Sequence, residues 1–286
     1  LLGLVPTMLA GHATTVTMAI SVGGMLLAYE ACRKFAMGLG HLAGAVLAWH
    51  HVAPLFAAAT RPQVVTPPAY AIPPGESLDQ GRDAPLLEAH ALVFRHGGRG
   101  APVLQACSLQ MRTGDRLLLE GPSGGGKSTL ASLLTGLRQP ESGLLLLGGL
   151  DLPTLGTAGW RHRVVAAPQF HDNYLFAGTL AFNLLMGRRW PPQPADLQAA
   201  ETLCRALALG PLLDRMPAGL WQIVGETGWQ LSHGERSRLY IARALLQDAT
   251  VLILDESFAA LDPETLHSVQ KCVLEHAPTL MVIAHP

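Results

Sequence analysis

The residues Gly121-Pro122-Ser123-Gly124-Gly125-Gly126-Lys127-Ser128-Thr129 constrain this chain more than any other stretch. They fit the pattern G-x-x-x-x-G-K-[ST]. They follow an apolar run ending in Leu119-Glu120 and open a segment, Ser128–Leu137, whose Leu130, Leu133, Leu134 and Leu137 share one helical face. Strand, glycine-rich turn and helix start, in that order, build a phosphate cradle. The glycines let backbone N–H groups wrap a phosphate, and the helix N-terminus adds partial positive charge. Lys127 then neutralises β- and γ-phosphate oxygens, and Ser128 offers a hydroxyl to Mg²⁺. Lysine is otherwise scarce, since Lys34 and Lys271 are the only others.

Further along, Val251-Leu252-Ile253-Leu254-Asp255-Glu256 reads as an apolar strand ending in two acids, the form of a Walker B motif. Asp255 would hold Mg²⁺ through water, and Glu256 would polarise the water that attacks a γ-phosphate. Leu117–Leu119, Leu144–Leu147, Val164–Ala167, Val251–Leu254 and Leu280–Ile283 read as strands between amphipathic stretches, which makes an α/β domain.

The charge is unevenly spread. Residues 1–62 hold four charged side chains (Glu30, Arg33, Lys34, Arg61), against 20 Lys+Arg and 21 Asp+Glu in the whole chain. A mean hydropathy of +0.27 therefore averages an apolar N-terminal part with a soluble domain of ordinary composition. With a net charge of −1, that composition excludes a disordered chain, a collagen-like chain and a binder of nucleic acid that works through basic excess. Residues 1–29 lack Asp, Glu, Lys and Arg, which meets the length criterion for a membrane span. A turn is expected between Gly11 and Gly24, followed by a helix from Met25 to Phe56, long enough at about 1.5 Å per residue to cross a bilayer and protrude. Glu30, Arg33 and Lys34 at i, i+3 and i+4 are expected to pair with one another or lie at an interface.

Between Thr60 and Pro85, six prolines (Pro62, Pro67, Pro68, Pro73, Pro74, Pro85) form a semi-rigid linker. The organisation expected is 1–59 as the end of a transmembrane domain, 60–85 as linker and 86–286 as the soluble domain, with both termini read as cut ends of a longer chain. Cys32, Cys107, Cys204 and Cys272 form no metal-type spacing and are expected as small buried residues in a reducing compartment.

Between the two phosphate motifs, Leu231-Ser232-His233-Gly234-Glu235 resembles the L-S-G-G-Q signature of the ATP-binding cassette family, and Ile241-Ala242-Arg243-Ala244-Leu245 is similar to the helix that follows it. The resemblance implies a P-loop NTPase of ABC type: a parallel sheet core, an antiparallel β subdomain and a helical subdomain, preceded here by an α-helical transmembrane segment. It implies ATP and Mg²⁺ as cofactors and a head-to-tail dimer with a second nucleotide-binding domain, in which Ser232 and Gly234 reach the γ-phosphate on the opposite subunit. Gln169 resembles the Q-loop glutamine that touches Mg²⁺ and the membrane domain, Asp262 the D-loop acid, and His285 the switch histidine. Phe176-Ala177-Gly178-Thr179-Leu180 with Asn183, and Val224-Gly225-Glu226-Thr227-Gly228, look like features of exporters with fused membrane and nucleotide-binding domains.

The chain departs from that pattern at several points. His233 and Glu235 replace a glycine and the glutamine of the signature, and the added negative charge is expected to oppose closure on ATP. His96 stands where the family places an adenine-stacking aromatic. Ser257 replaces a proline after the second acid. The function implied is ATP hydrolysis that drives transport in a multi-pass membrane protein, with a transmembrane domain, the lipid bilayer and a transported substrate as partners and no nucleic acid. Two alternatives stand beside it: a soluble ABC-type ATPase acting on nucleic acid or ribosomes, and a transporter half that regulates and hydrolyses weakly.

Overall fold

The computed structural model describes residues 15–59, 84–98, 100–169, 173–226 and 228–285, divided between two units, Leu1–Gln63 and Val64–Pro286. In the first unit one helix, α1, runs from Thr15 to Ala59. It passes through Gly23 and Gly24 unbroken, so the expected turn does not lie at residues 15–24; residues 11–14 fall outside those described. Glu30 pairs with Arg33 at 3.8 Å and with Lys34 at 4.0 Å, as the spacing implies. Leu26, Leu27, Phe35, Leu42 and Trp49 are exposed on it. Among the described residues no helix is long and apolar enough to cross a membrane.

The first described strand of the second unit is β1 (Pro85–Phe94), in which Pro85, the last residue of the expected linker, pairs with Arg112; residues 60–83 of that linker lie outside the described residues. The other strands are β2 (Leu104–Arg112), β3 (Arg116–Glu120), β4 (Ser142–Leu147), β5 (Leu150–Asp151), β6 (Val164–Ala167), β7 (Gly178–Thr179), β8 (Ile223–Val224), β9 (Val251–Asp255) and β10 (Leu280–Ala284). The helices are α2 (Lys127–Leu134), α3 (Leu152–Arg163), α4 (Leu180–Leu184), α5 (Pro194–Ala206), α6 (Gly210–Arg215), α7 (His233–Leu245) and α8 (Pro263–His276).

Two four-stranded sheets carry the domain. One is antiparallel, in the order β2-β1-β4-β5, and the other is parallel, in the order β3-β10-β9-β6. All of β9 is buried, as expected of an inner strand of a sheet covered on both faces. Its alternate side chains divide two cores. Val251 and Ile253 pack with α2, α3 and the antiparallel sheet, whereas Leu252 and Leu254 pack with α5, α7 and α8. The expected ABC architecture of parallel core, antiparallel subdomain and helical subdomain is therefore present.

Helix α2 ends earlier than its leucine spacing suggests. Thr135 donates its hydroxyl to Ala131 O at 2.9 Å, Gly136 turns left-handed, and Leu137 is 63% exposed instead of completing the apolar face. The thiols also differ from expectation: Cys204 and Cys272 are buried and Cys107 half-buried, but Cys32 is exposed on α1. Burial pushes the Cys204 thiol up to about 12, with the Glu201 carboxylate adding to it.

A polar clamp joins the helical subdomain. Asn183, fully buried, accepts from Phe176 N and donates to Phe176 O at 2.9 Å and Thr179 O at 3.1 Å. Arg243 on α7 donates to Asn183 O at 2.7 Å and to Tyr174 O at 3.0 Å. Replacing Asn183 by Ala strands several buried backbone groups. We expect Asn183→Ala to cost about 3 kcal/mol, a fall of roughly 6–12 °C in thermal midpoint by differential scanning fluorimetry. A shift under 2 °C would show the clamp to be dispensable.

Candidate nucleotide-binding and hydrolysis site

The four parallel strands run the same way, and their registers set Glu120 beside Ala284, Ile283 beside Asp255 and Ala167 beside Leu254. Their carboxyl ends therefore share one edge, the edge at which open parallel sheets bind ligands. Gly121 follows β3, Gln169 lies just past β6, Asp255 closes β9 with Glu256 after it, and His285 follows β10. Sheet topology alone gathers residues spread over most of the domain.

At the end of β3 the loop from Gly121 turns through Gly124 (φ +78) and Gly126 (φ +85), a left-handed backbone that favours glycine. At Gly126 space decides as well, because a Cβ would lie 3.0 Å from Leu104 Cδ2 and 3.2 Å from Val103 Cγ1. Helix α2 starts at the next residue. Lys127 is 9% exposed, and its Nζ donates to the carbonyls of Gly121 (2.7 Å) and Pro122 (2.9 Å), so the ammonium lies over the loop. Pro122, Ser123, Gly125 and Ser128 are exposed around it.

The three residues expected to act in hydrolysis meet at one carboxylate. Gln169 Nε2 donates to Glu256 Oε2 at 2.6 Å, and His285 Nε2 stands 3.3 Å from Glu256 Oε1. Glu256 is held there in a left-handed conformation (φ +49), which costs a residue with a side chain about 1–3 kcal/mol. Its backbone N–H donates to Ile283 O at 3.0 Å, and its carbonyl accepts from Ala259 N at 3.1 Å. Strain at the acid is thus supported by β10 and by the turn behind it. Asp255 is 3% exposed at the strand end, and Ser257 is buried with its Oγ 3.4 Å from Ala167 O, a contact that a proline could not make.

His96 is exposed beside this loop. Its Nε2 is 3.5 Å from Thr129 Oγ1, its Nδ1 accepts from Arg138 Nη1 at 2.9 Å, and its ring meets Phe94 edge-on with centroids 5.1 Å apart. The imidazole therefore sits between Thr129 in the first turn of α2 and Arg138 in the loop beyond that helix. Arg138 was not legible as part of the site, because it lies beyond α2 and far from His96 in sequence, and only the fold sets its guanidinium over the Phe94 ring, 5.6 Å from the centroid, and beside His96.

Ser232 and Asp262 do not join the loop. Ser232 caps α7, its Oγ accepting from Glu235 N at 3.2 Å. Asp262 caps α8 and accepts from Thr265 N (2.9 Å) and Thr265 Oγ1 (2.7 Å), bonds that hold its carboxyl below the usual range. Gly234 lies where a Cβ would meet Ala260 O at 3.4 Å, which sets the start of α7 against the turn after Glu256. Within one chain, the signature faces outward.

A second surface lies beside the glutamine loop. Strands β7 and β8 pair, and Gly225 (φ +99) packs so closely that a Cβ would meet Phe176 O and Ala177 Cα at 3.1 Å. Around them Tyr174, Phe176, Phe182, Trp190, Trp221 and Ile223 are exposed, and so is Glu226; Thr227 lies outside the described residues. A groove of about 540 Å³ between β3, β10 and α8 reaches Glu256 and His285 at one end, but its walls are mostly apolar (Leu118, Leu266, Val273, Leu274, Val282) and offer a triphosphate little.

Comparison with known proteins matches the family described as ABC transporter to residues 104–259. The mycobactin import ATP-binding/permease protein IrtB of Mycolicibacterium thermoresistibile is 43% identical over 185 residues, 65% of this chain and 31% of that protein. The ATP-dependent lipid A-core flippase of Paraburkholderia xenovorans is 38% identical over 174 residues, 60% of this chain and 28% of its own length. This chain thus spans about a third of the length of these relatives. Among solved structures, that of a bacterial Atm1-family ABC exporter with ATP bound superposes with a TM-score of 0.63 at 31% identity, over 72% of this chain and 35% of that one. A phosphate loop after β3, two acids at the end of β9 and a capped signature helix, matched to that family over most of the domain, place the chain in the ABC transporter family, whose members hydrolyse ATP to drive transport.

Proposed function

We propose that this chain is the ATP-hydrolysing part of an ABC exporter, in which 86–286 is the nucleotide-binding domain and 1–59 the end of a transmembrane domain. The observation that carries the reading is the carboxylate of Glu256, held between Gln169 and His285 at the sheet edge that also bears the phosphate loop. Backbone N–H groups of Gly124 to Ser128 and the ammonium of Lys127 bind the phosphates of ATP. Glu256 accepts the proton of the attacking water, and its two neighbours hold its oxygens in place. Gln169 spends its Nε2 on Glu256, which leaves its amide oxygen as an acceptor. Ser128, Asp255 and Gln169 together offer hydroxyl, carboxylate and amide oxygens, the hard donors that suit Mg²⁺. When bound, that ion neutralises phosphate charge. His96, pinned by Arg138, supplies the face for adenine.

The outward-facing Ser232 and Gly234 make sense in a head-to-tail dimer. A hydroxyl and N–H groups at the start of one α7 then meet the γ-phosphate held by the other copy's loop, and Asp262 lies at the same face. The exposed aromatic surface around Phe176, Trp221 and Glu226 suits the cytoplasmic helices of a membrane domain, and the apolar side chains exposed on α1 suit lipid and neighbouring membrane helices. The relatives' names cover import and flipping, so the engine is common to them and the substrate is set elsewhere. The test is association driven by ATP. Light scattering of the Glu256→Gln chain is expected to show the mass doubling on addition of ATP but not ADP, and a mass unchanged by ATP would overturn the head-to-tail reading.

A further inference from the structure

Glu235 carries a negative charge on the first turn of α7, at the helix start that the proposed dimer turns toward a triphosphate. Left alone, that charge would oppose the approach. The structure shows what has become of it. Glu235 Oε2 accepts from Ser232 N at 2.8 Å and completes a capping box, and Glu235 Oε1 accepts from Arg215 Nη2 at 2.6 Å. The carboxylate is largely enclosed, with its side chain 13% exposed, while Arg215 covers it from the solvent side at 61%. Arg215 is itself held, since it is the last residue of α6 and its Nε donates to Pro211 O at 3.2 Å. The box uses Ser232 Oγ as an acceptor only, so its O–H remains available to donate to an anion.

We propose that Arg215 is a positioning residue for ATP hydrolysis. It cancels the charge of Glu235 and fixes that carboxylate in the capping box, so that Ser232 and Gly234 present an electrically favourable helix start to the γ-phosphate of the opposite copy. The inference rests on the head-to-tail reading and deepens it. The acid in the signature is not a mark of a weakly hydrolysing half, because its charge is matched by a partner from the preceding helix. Arg215 acts through Glu235 and touches no nucleotide.

The experiment uses the full chain in the Glu256→Gln background, with ATP-driven dimerisation as one readout and ADP affinity as the other. ADP lacks the γ-phosphate and reports on the loop of a single copy. Arg215→Gln is expected to raise the ATP concentration needed for half-maximal dimerisation by about tenfold at low salt, with ADP affinity unchanged. The deficit is expected to shrink at high ionic strength, since salt screens the repulsion between the uncompensated Glu235 carboxylate and the triphosphate. Adding Glu235→Gln to Arg215→Gln is expected to restore dimerisation to within about threefold of the parent, a rescue that lost packing at Arg215 would not produce. If the parent dimerises but Arg215→Gln does so equally well, or if the double variant is no better than the single, this proposal fails and the head-to-tail reading stands. If the parent itself stays monomeric with ATP, both fall.

Discussion

Glu256→Gln is expected to bind ATP as well as the parent chain and to turn it over about 10²–10⁴-fold more slowly, the range for loss of a positioned general base. The substitution is nearly isosteric. The new amide can still turn its oxygen toward Gln169 Nε2, which donates at 2.6 Å to the present carboxylate, so the arrangement around the site is retained. What is lost is the negative charge and the ability to take a proton. The left-handed backbone at Glu256 is supported by Ile283 and Ala259 through main-chain bonds that ignore the side chain, so the change should leave stability nearly untouched. Phosphate release under saturating ATP, alongside equilibrium ATP binding, measures both halves of this expectation. Turnover within threefold of the parent would remove Glu256 from the role of base.

Lys127→Ala is expected to weaken ATP binding itself, by about 10²–10⁴-fold, through the loss of charge-assisted contacts worth roughly 1.5–3 kcal/mol each to more than one phosphate oxygen. The ammonium is positioned for this. It is 9% exposed and held over the loop by the carbonyls of Gly121 and Pro122, so little side-chain freedom remains to be lost when phosphate oxygens replace them as partners. Titration calorimetry with ATP and ADP should show both weakened, which separates this lysine from Arg215, whose substitution should spare ADP. An ADP affinity unchanged in Lys127→Ala would mean that the loop binds phosphate through its backbone alone.

The two substitutions differ in what made their targets legible. Lys127 belongs to a local pattern in which each residue type is needed by the conformation of its neighbours, and the glycines with φ of +78 and +85 stand where the pattern puts them. Glu256 was legible as one of two acids closing an apolar strand. Its meeting with Gln169 and His285 depends on the order β10-β9-β6 and on parallel registers between segments far apart in sequence. Order and resemblance brought those two residues under notice, and the fold brings both to Glu256, at 2.6 Å and 3.3 Å.

Other parts were hidden for identifiable reasons. Strands β1 and β2 do not alternate cleanly, because Ala91 (φ +47) and Ala106 (φ +50) sit at irregularities where the pairing register shifts. A period-two search loses its phase at such points. The leucine spacing carried the predicted helix to Leu137, but the hydroxyl of Thr135 and the left-handed Gly136 close α2 first, and no periodicity encodes that. The turn expected between Gly11 and Gly24 does not lie at residues 15–24, where Gly23 and Gly24 run inside α1, because glycine permits a break in a helix without requiring one.

By itself the sequence determined a phosphate-binding strand, loop and helix, a pair of acids at a second strand end, and a signature-like segment followed by a helix, since each of these is written in residues that are neighbours along the chain. Only the tertiary structure decided that the side chains of Gln169 and His285 converge on the Glu256 carboxylate, that Asp262 spends its oxygens on a helix cap, and that the acid in the signature is paired with an arginine. Glu235 read along the sequence is an added charge at a phosphate site. Read in space, it is half of a pair with Arg215 at 2.6 Å, because the fold brings the last residue of α6 to the first turn of α7, a contact that no local pattern specifies.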